Sequence, residues 1–161
     1  MIVVSDTSAL NYLILIGAAN VLPALFDQIV IPRSVETELL SPSAPRAVHQ
    51  WIQTPPAWLE VRSAARIDPD LRLDPGEIEA ICLAEELHAD HLLIDEWAGR
   101  DAARRRGLQV IGTLGVLAQA AERNLLDLHH AFDQLKETTF RVDPALLDLL
   151  LAADRRRRRG G

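Results

Sequence analysis

HLLIDEWAGRDAARRRGLQVIGTLG, residues 91–115, carries the pattern that decides the fold class. His91 to Asp95 is a β-run ending in an acid, Glu96 to Arg106 continues with helical character, and Gly107 stops it. Val110 and Ile111 form another short strand, and GTLG (Gly112 to Gly115) opens a helix running to about Arg123. Upstream, Asp74, Pro75 and Gly76 introduce EIEAICLAEEL, a helix with Asp74 as N-cap and Ile78, Ile81, Cys82 and Glu85 at helical spacing. The same alternation begins the chain. IVVS (residues 2–5) is a strand before a helix capped near Thr7 or Ser8. Ile29 to Ile31 is a second strand, and Pro32 starts the helix SVETELL from proline's usual first-turn place. SPSAP (residues 41–45) breaks the chain before the helix AVHQWIQ, and Trp58 to Arg62 is a weak strand. Helices over 125–135 and 143–153 close the chain. Strands alternating with helices predict an α/β three-layer sandwich, a central parallel sheet flanked by helices.

Composition bounds the rest. At 161 residues the chain is of single-domain size, able to bury about two-thirds of its unfolded surface. Hydrophobic residues at 48% and charged residues at 25% exclude a disordered chain, so residues 1–154 are expected to fold as one unit. No apolar run reaches the length of a membrane span, and Asp6, ahead of the apolar stretch Leu13 to Ile16, argues against a signal peptide. Cys82 is the single cysteine, which excludes an internal disulfide or a cysteine zinc site and fits a reducing cytoplasm. The net charge of -6 hides a segregation of sign: every basic residue but Lys136 is arginine, with clusters at Arg104 to Arg106 and Arg155 to Arg159. Arginine's planar fork suits phosphate, while the plain reading of residues 155–161 is a frayed, disordered tail.

In open parallel sheets ligands sit beyond the carboxyl ends of the strands, where this sequence puts acids. Four of them, Asp6, Glu38, Glu77 and Asp95, lie in loops or helices that follow apolar runs. Magnesium and manganese take hard oxygen ligands and keep several waters, so two to four convergent carboxylates hold them without histidine or cysteine. Two such ions about 4 Å apart can activate water and stabilise the leaving oxygen in attack on phosphate. Each acid also has a plainer reading: Asp6 as a helix cap, Glu38 as a solvated neighbour of Glu36, Glu77 as an acid favoured by the helix dipole, Asp95 as an N-cap. The five histidines show no zinc spacing, and Cys82 sits in an apolar stripe as core packing rather than as a nucleophile.

VVSDTSALNYL, SVETELL, DPGEIEAI, LLIDEWAGRDAA and VIGTLGVL follow one another within residues 2–123 in the order seen in PIN-domain proteins. The chain resembles the VapC-like branch of that family. The resemblance implies an endoribonuclease dependent on Mg2+ or Mn2+, the toxin of a toxin-antitoxin pair restrained by a small antitoxin protein, and a homodimer. It also implies that Asp6 is the first-strand metal ligand, Glu38 the acid in the helix after the second strand, Glu77 the third acid and Asp95 the fourth. Glu79 competes with Glu77 from another direction on the helix, and Glu96 shadows Asp95. Thr7, Ser8, Arg100 and Thr113 are candidates to hold water or substrate phosphate, against helix capping for the three hydroxyls and a surface ion pair for Arg100.

Two other functions compete. A non-catalytic nucleic-acid-binding or scaffold protein could keep the same fold. A phosphoryl-transfer enzyme or receiver with Asp6 as nucleophile needs a second aspartate and a placed lysine, and Lys136 lies in a late helix.

Overall fold

In the computed structural model, which describes residues 1–160, the strands are β1 (Ile2–Ser5), β2 (Gln28–Pro32), β3 (Leu59–Arg62), β4 (His91–Leu93) and β5 (Val110–Ile111). They form one wholly parallel sheet in the order β3-β2-β1-β4-β5. The helices are α1 (Thr7–Leu15), α2 (Val21–Leu25), α3 (Arg33–Leu39), α4 (Arg46–Gln53), α5 (Pro75–Glu86), α6 (Trp97–Arg105), α7 (Thr113–Glu122), α8 (Leu128–Lys136) and α9 (Pro144–Gly160).

Strand alternation divides the core in two. Val3, Ile29, Ile31, Leu93 and Ile111 face one layer of helices, with Leu10 and Leu13 of α1, Leu117 of α7 and Phe132 of α8. Val4, Val30, Leu92 and Ile94 face the other, against Ala80, Ile81, Leu83 and Ala84 of α5 and Ala103 of α6. Successive side chains point to opposite faces and both faces are covered, which is why Val3 and Val4 are both fully buried and why these strands are apolar throughout. The expected three-layer α/β sandwich is therefore the observed one. Among the described residues no helix is long and apolar enough to cross a membrane.

Several local expectations change. Pro32 ends β2 rather than occupying the first turn of α3. VLPAL forms the short α2, which the sequence pattern did not announce. On α5 the buried run is Ala80 to Ala84; Ile78 is only partly buried and Glu85 meets Arg106 at 3.0 Å. The apolar face is wider than one stripe because the loop before α5 also packs on it, its Asp68 amide lying 3.5 Å from Cys82 Sγ and its Ala65 amide donating to Glu86. The arginine run expected as a disordered tail continues α9 to Gly160. Arg157 Nη2 donates to Ala121 O at 2.9 Å, and Asp154 takes both Arg157 and Arg158. Cations there complement the carbonyl ends of α7 and of α9 itself.

Candidate active site

The strand order reverses at β1: β2 lies on one side of it and β4 on the other. A crevice between helices opens at such a point beyond the carboxyl ends of the strands. Asp6 follows β1 directly, its amide bonded to Leu93 O at 3.0 Å, and Asp95 follows the end of β4. The Asp6 carboxyl is 1% exposed and caps α1, Oδ1 accepting from the Ala9 amide at 3.1 Å. Burial pushes its pKa well above the ordinary carboxylate range; the Ala9 hydrogen bond opposes this, and the charges of Asp95, Glu77 and Glu38 add to it. These four carboxylates from four parts of the chain thus converge on one field.

Each of the other three accepts a backbone N–H, Glu38 and Asp95 from a neighbouring element and Glu77 from the N-cap of its own helix. Glu38, on α3, accepts from Thr7 Oγ1 and from the Gly76 amide at 3.1 Å. Glu77 closes a capping box at the start of α5, Oε1 accepting weakly from the Asp74 amide at 3.4 Å. Its other oxygen, Oε2, is buried and has no hydrogen-bond donor. Burial raises the Glu77 pKa, against the Asp74 amide, and the charges of Asp74, Glu96 and Glu38 raise it further. Asp95 is gripped by Thr113 at the start of α7: the amide donates to Oδ1 at 2.8 Å and the hydroxyl to Oδ2 at 2.6 Å.

A family model described as a PIN domain matches residues 2–155. The chain belongs to the PIN-domain family. Among solved structures it is similar to a PilT N-terminus domain protein from the hyperthermophilic archaeon Sulfolobus solfataricus, at 22% identity and a TM-score of 0.55. That similarity covers 74% of this chain and 93% of the other, and it shows a shared fold. No curated protein matches this chain.

In this PIN domain the competing acids separate cleanly. Glu79 accepts from both the amide and the hydroxyl of Ser34 and so secures the start of α3, away from the field around Asp6. Glu96 is an exposed residue at the N-cap of α6; it lines the groove beside Asp95 and its charge is felt by Glu77. Thr7 and Thr113, candidates for touching water or phosphate, donate their hydroxyl hydrogens to Glu38 and Asp95 and so position those acids. Ser8 and Arg100 line a groove beside Asp95. Arg100 is half-buried with Nη1 on Ile94 O at 2.9 Å, a backbone partner in place of the expected surface carboxylate. Burial, then Arg104, lowers its pKa, while Asp95 raises it.

Three glycines lie against the acids of the PIN site: Gly76 and Gly112, expected only to open helices, and Gly99. A Cβ on Gly76 would lie 2.8 Å from Glu38 Oε1, one on Gly99 2.6 Å from Glu77 Oε2, and one on Gly112 2.9 Å from Asp95 Oδ1. Each glycine lets backbone approach one acid more closely than any side chain allows. The only sequence signal was proximity, in DPGE, EWAG and IGTLG. Among the described residues no three histidine, cysteine, aspartate or glutamate side chains stand arranged to hold a metal ion. The donor chemistry nevertheless fits a hard divalent cation: oxygen donors only, excess negative charge and a buried oxygen without a hydrogen-bond donor.

Proposed function

We propose that this PIN domain is a metal-dependent endoribonuclease that hydrolyses phosphodiester bonds of single-stranded or structured RNA. The observation that carries the reading is the buried Asp6 carboxylate in the joint field of Asp95, Glu77 and Glu38, with Glu77 Oε2 left without a donor. Asp6, Glu38, Glu77 and Asp95 would hold Mg2+ or Mn2+. Such an ion, when bound, supplies a water of lowered pKa and positive charge for the phosphate oxygens.

The chain's own residues do the positioning. The Ala9 amide fixes Asp6, Thr113 fixes both oxygens of Asp95, and Thr7 with the Gly76 amide fixes Glu38. Arg100, beside Asp95, offers its guanidinium to a phosphate oxygen of the strand. Burial and mutual repulsion favour the protonated forms of Asp6 and Glu77, so cation binding releases protons and strengthens as pH rises. Within the same reading the protein is a cytoplasmic, homodimeric toxin restrained by a small antitoxin, which is supported by the order of its sequence motifs.

The test is cleavage of a mixed single-stranded RNA pool by wild type and Asp6→Asn, each with manganese, magnesium or chelator. Cleavage by wild type that disappears with either chelator or the substitution supports the reading. No cleavage by folded, partner-free protein under any condition transfers the fold to a binding or scaffold role.

A further inference from the structure

Beside the acids lies a groove of about 890 Å3, walled by Asp95 and Arg100 and by Tyr12, Trp97, Phe140 and Arg141. Its aromatic residues differ in what they already touch. Tyr12 and Phe140 pack edge to face with centroids 5.0 Å apart, and the Tyr12 hydroxyl meets Thr139 Oγ1 at 3.0 Å. Trp51 and Trp58, elsewhere on the molecule, lie against each other at 5.8 Å and are half-buried. Trp97 is 73% exposed, the most exposed of the large hydrophobic side chains among the described residues. An indole left in water at the first position of α6, two residues after Asp95, contributes little to the core.

The groove sets two arginines, Arg100 and Arg141, beside the acids Asp95 and Glu96, and it is the arginines that can meet the phosphates of a strand. Arg100 bonds a backbone carbonyl, Arg141 is exposed, and neither forms an ion pair among the described residues. An exposed aromatic face beside two arginines without carboxylate partners is a combination that binds single-stranded nucleic acid, because every unpaired base has a π-face and every linkage a phosphate. A duplex offers no such face, since its bases are already stacked.

We propose that Trp97 stacks an unpaired base of an RNA strand laid in this groove, with Arg100 and Arg141 on the strand's phosphates. This rests on the nuclease reading of the adjoining acids and names what selects the strand: an unstacked nucleotide next to the bond presented to Asp95. Specificity for loops or single strands over duplex follows from that contact.

The test uses a short, cleavage-resistant 2′-O-methyl RNA strand with the full chain in magnesium. Single-stranded RNA quenches wild-type tryptophan emission; the Trp51 and Trp58 emission remaining in Trp97→Ala stays unchanged. By anisotropy of the labelled strand, Trp97→Ala binds roughly tenfold more weakly, the scale of one lost base-aromatic stack, and Trp97→Phe recovers most of the affinity. A strand abasic throughout gains nothing from Trp97, and the matching duplex does not quench. Equal affinity for wild type and Trp97→Ala, or for abasic and base-bearing strands, overturns the proposal. Wild-type emission that changes with protein concentration alone overturns it too, by giving Trp97 to a second copy of the chain. Stacking on Trp97 in a protein that never cleaves unmodified RNA removes the nuclease reading and leaves this one. Cleavage with unaltered affinity in Trp97→Ala does the reverse.

Discussion

Gly99→Ala places a methyl group where two side chains already stand. Its Cβ would lie 2.5 Å from Ile94 Cδ1 and 2.6 Å from Glu77 Oε2, closer than real Cβ atoms come to any neighbour. Ile94 is fully buried between the sheet and α6, so it yields only by moving other core residues. Overpacking of this kind costs about 1–3 kcal/mol. Replacing glycine by alanine in a helix returns about 0.5–1 kcal/mol. The net loss is about 0–2.5 kcal/mol, a fall in Tm of up to roughly 10 °C for a chain of this size. Cleavage should fall further than stability, because Glu77 Oε2 must leave its place. The decisive comparison adds Ile94→Val, which alone costs about 0.5–1.5 kcal/mol but removes the Cδ1 atom in the way. In a double-mutant cycle by thermal and urea unfolding, the pair should be less destabilised than the sum of the singles, with a coupling above about 0.5 kcal/mol. Cleavage by the double variant stays low, because the clash with Glu77 persists. Simple additivity, or a Gly99→Ala protein that cleaves RNA at the wild-type rate, refutes the argument that this glycine exists to admit the acid.

Three other outcomes follow. Asp6→Asn abolishes cleavage yet raises Tm at neutral pH: the folded pKa of Asp6 lies above its unfolded value, so wild-type stability falls as pH climbs from the unfolded aspartate value through the raised folded one. Urea unfolding from pH 4 to 8 in chelator shows this slope reduced in the variant and retained in part through Glu77. Thr113→Val keeps the amide bond to Asp95 Oδ1 but loses the hydroxyl bond at 2.6 Å, and it lowers stability by about 1–3 kcal/mol together with cleavage, measured by melting and RNA assay. Arg157→Ala frays α9 and lowers Tm, whereas joint replacement of Arg155, Arg156 and Arg159 by alanine leaves Tm unchanged and weakens RNA affinity mainly at low salt.

The layers were legible because their causes are local. Val3 and Val4, Ile29 to Ile31, and Leu92 to Ile94 are consecutive apolar residues, a pattern a strand can satisfy only when both faces are covered. Gly107, at φ +81°, ends its helix in the left-handed conformation that glycine adopts without strain. What escaped the sequence is what distant contacts decide. Five adjacent arginines look like a frayed end until Arg157 finds the carbonyls that close α7 and Asp154 takes two of the guanidinium groups. The choice between Glu77 and Glu79 needed direction rather than composition: two positions on a helix differ by about 200°, enough to send one acid to the cluster and the other to Ser34.

The acids themselves posed a choice between capping and chemistry, and at Asp6 and Glu77 the cap uses only one carboxylate oxygen. Asp6 caps α1 through Oδ1 and sits in the shared field of three other carboxylates. Glu77 closes a capping box with Oε1 while Oε2 lies buried without a donor. Asp95 accepts from Thr113 with both oxygens, and each carboxylate oxygen has a second lone pair to offer. At Asp6 and Glu77 the capping bond uses one oxygen, and at Glu38 and Asp95 hydrogen bonds to both oxygens hold the group at the edge of the sheet. A helix start directly after an apolar strand is therefore where an acid is cheapest to fix in place. Burial raises the pKa values of Asp6 and Glu77 and the neighbouring carboxylates raise them further, a cost that fits the proposed uptake of a positive charge.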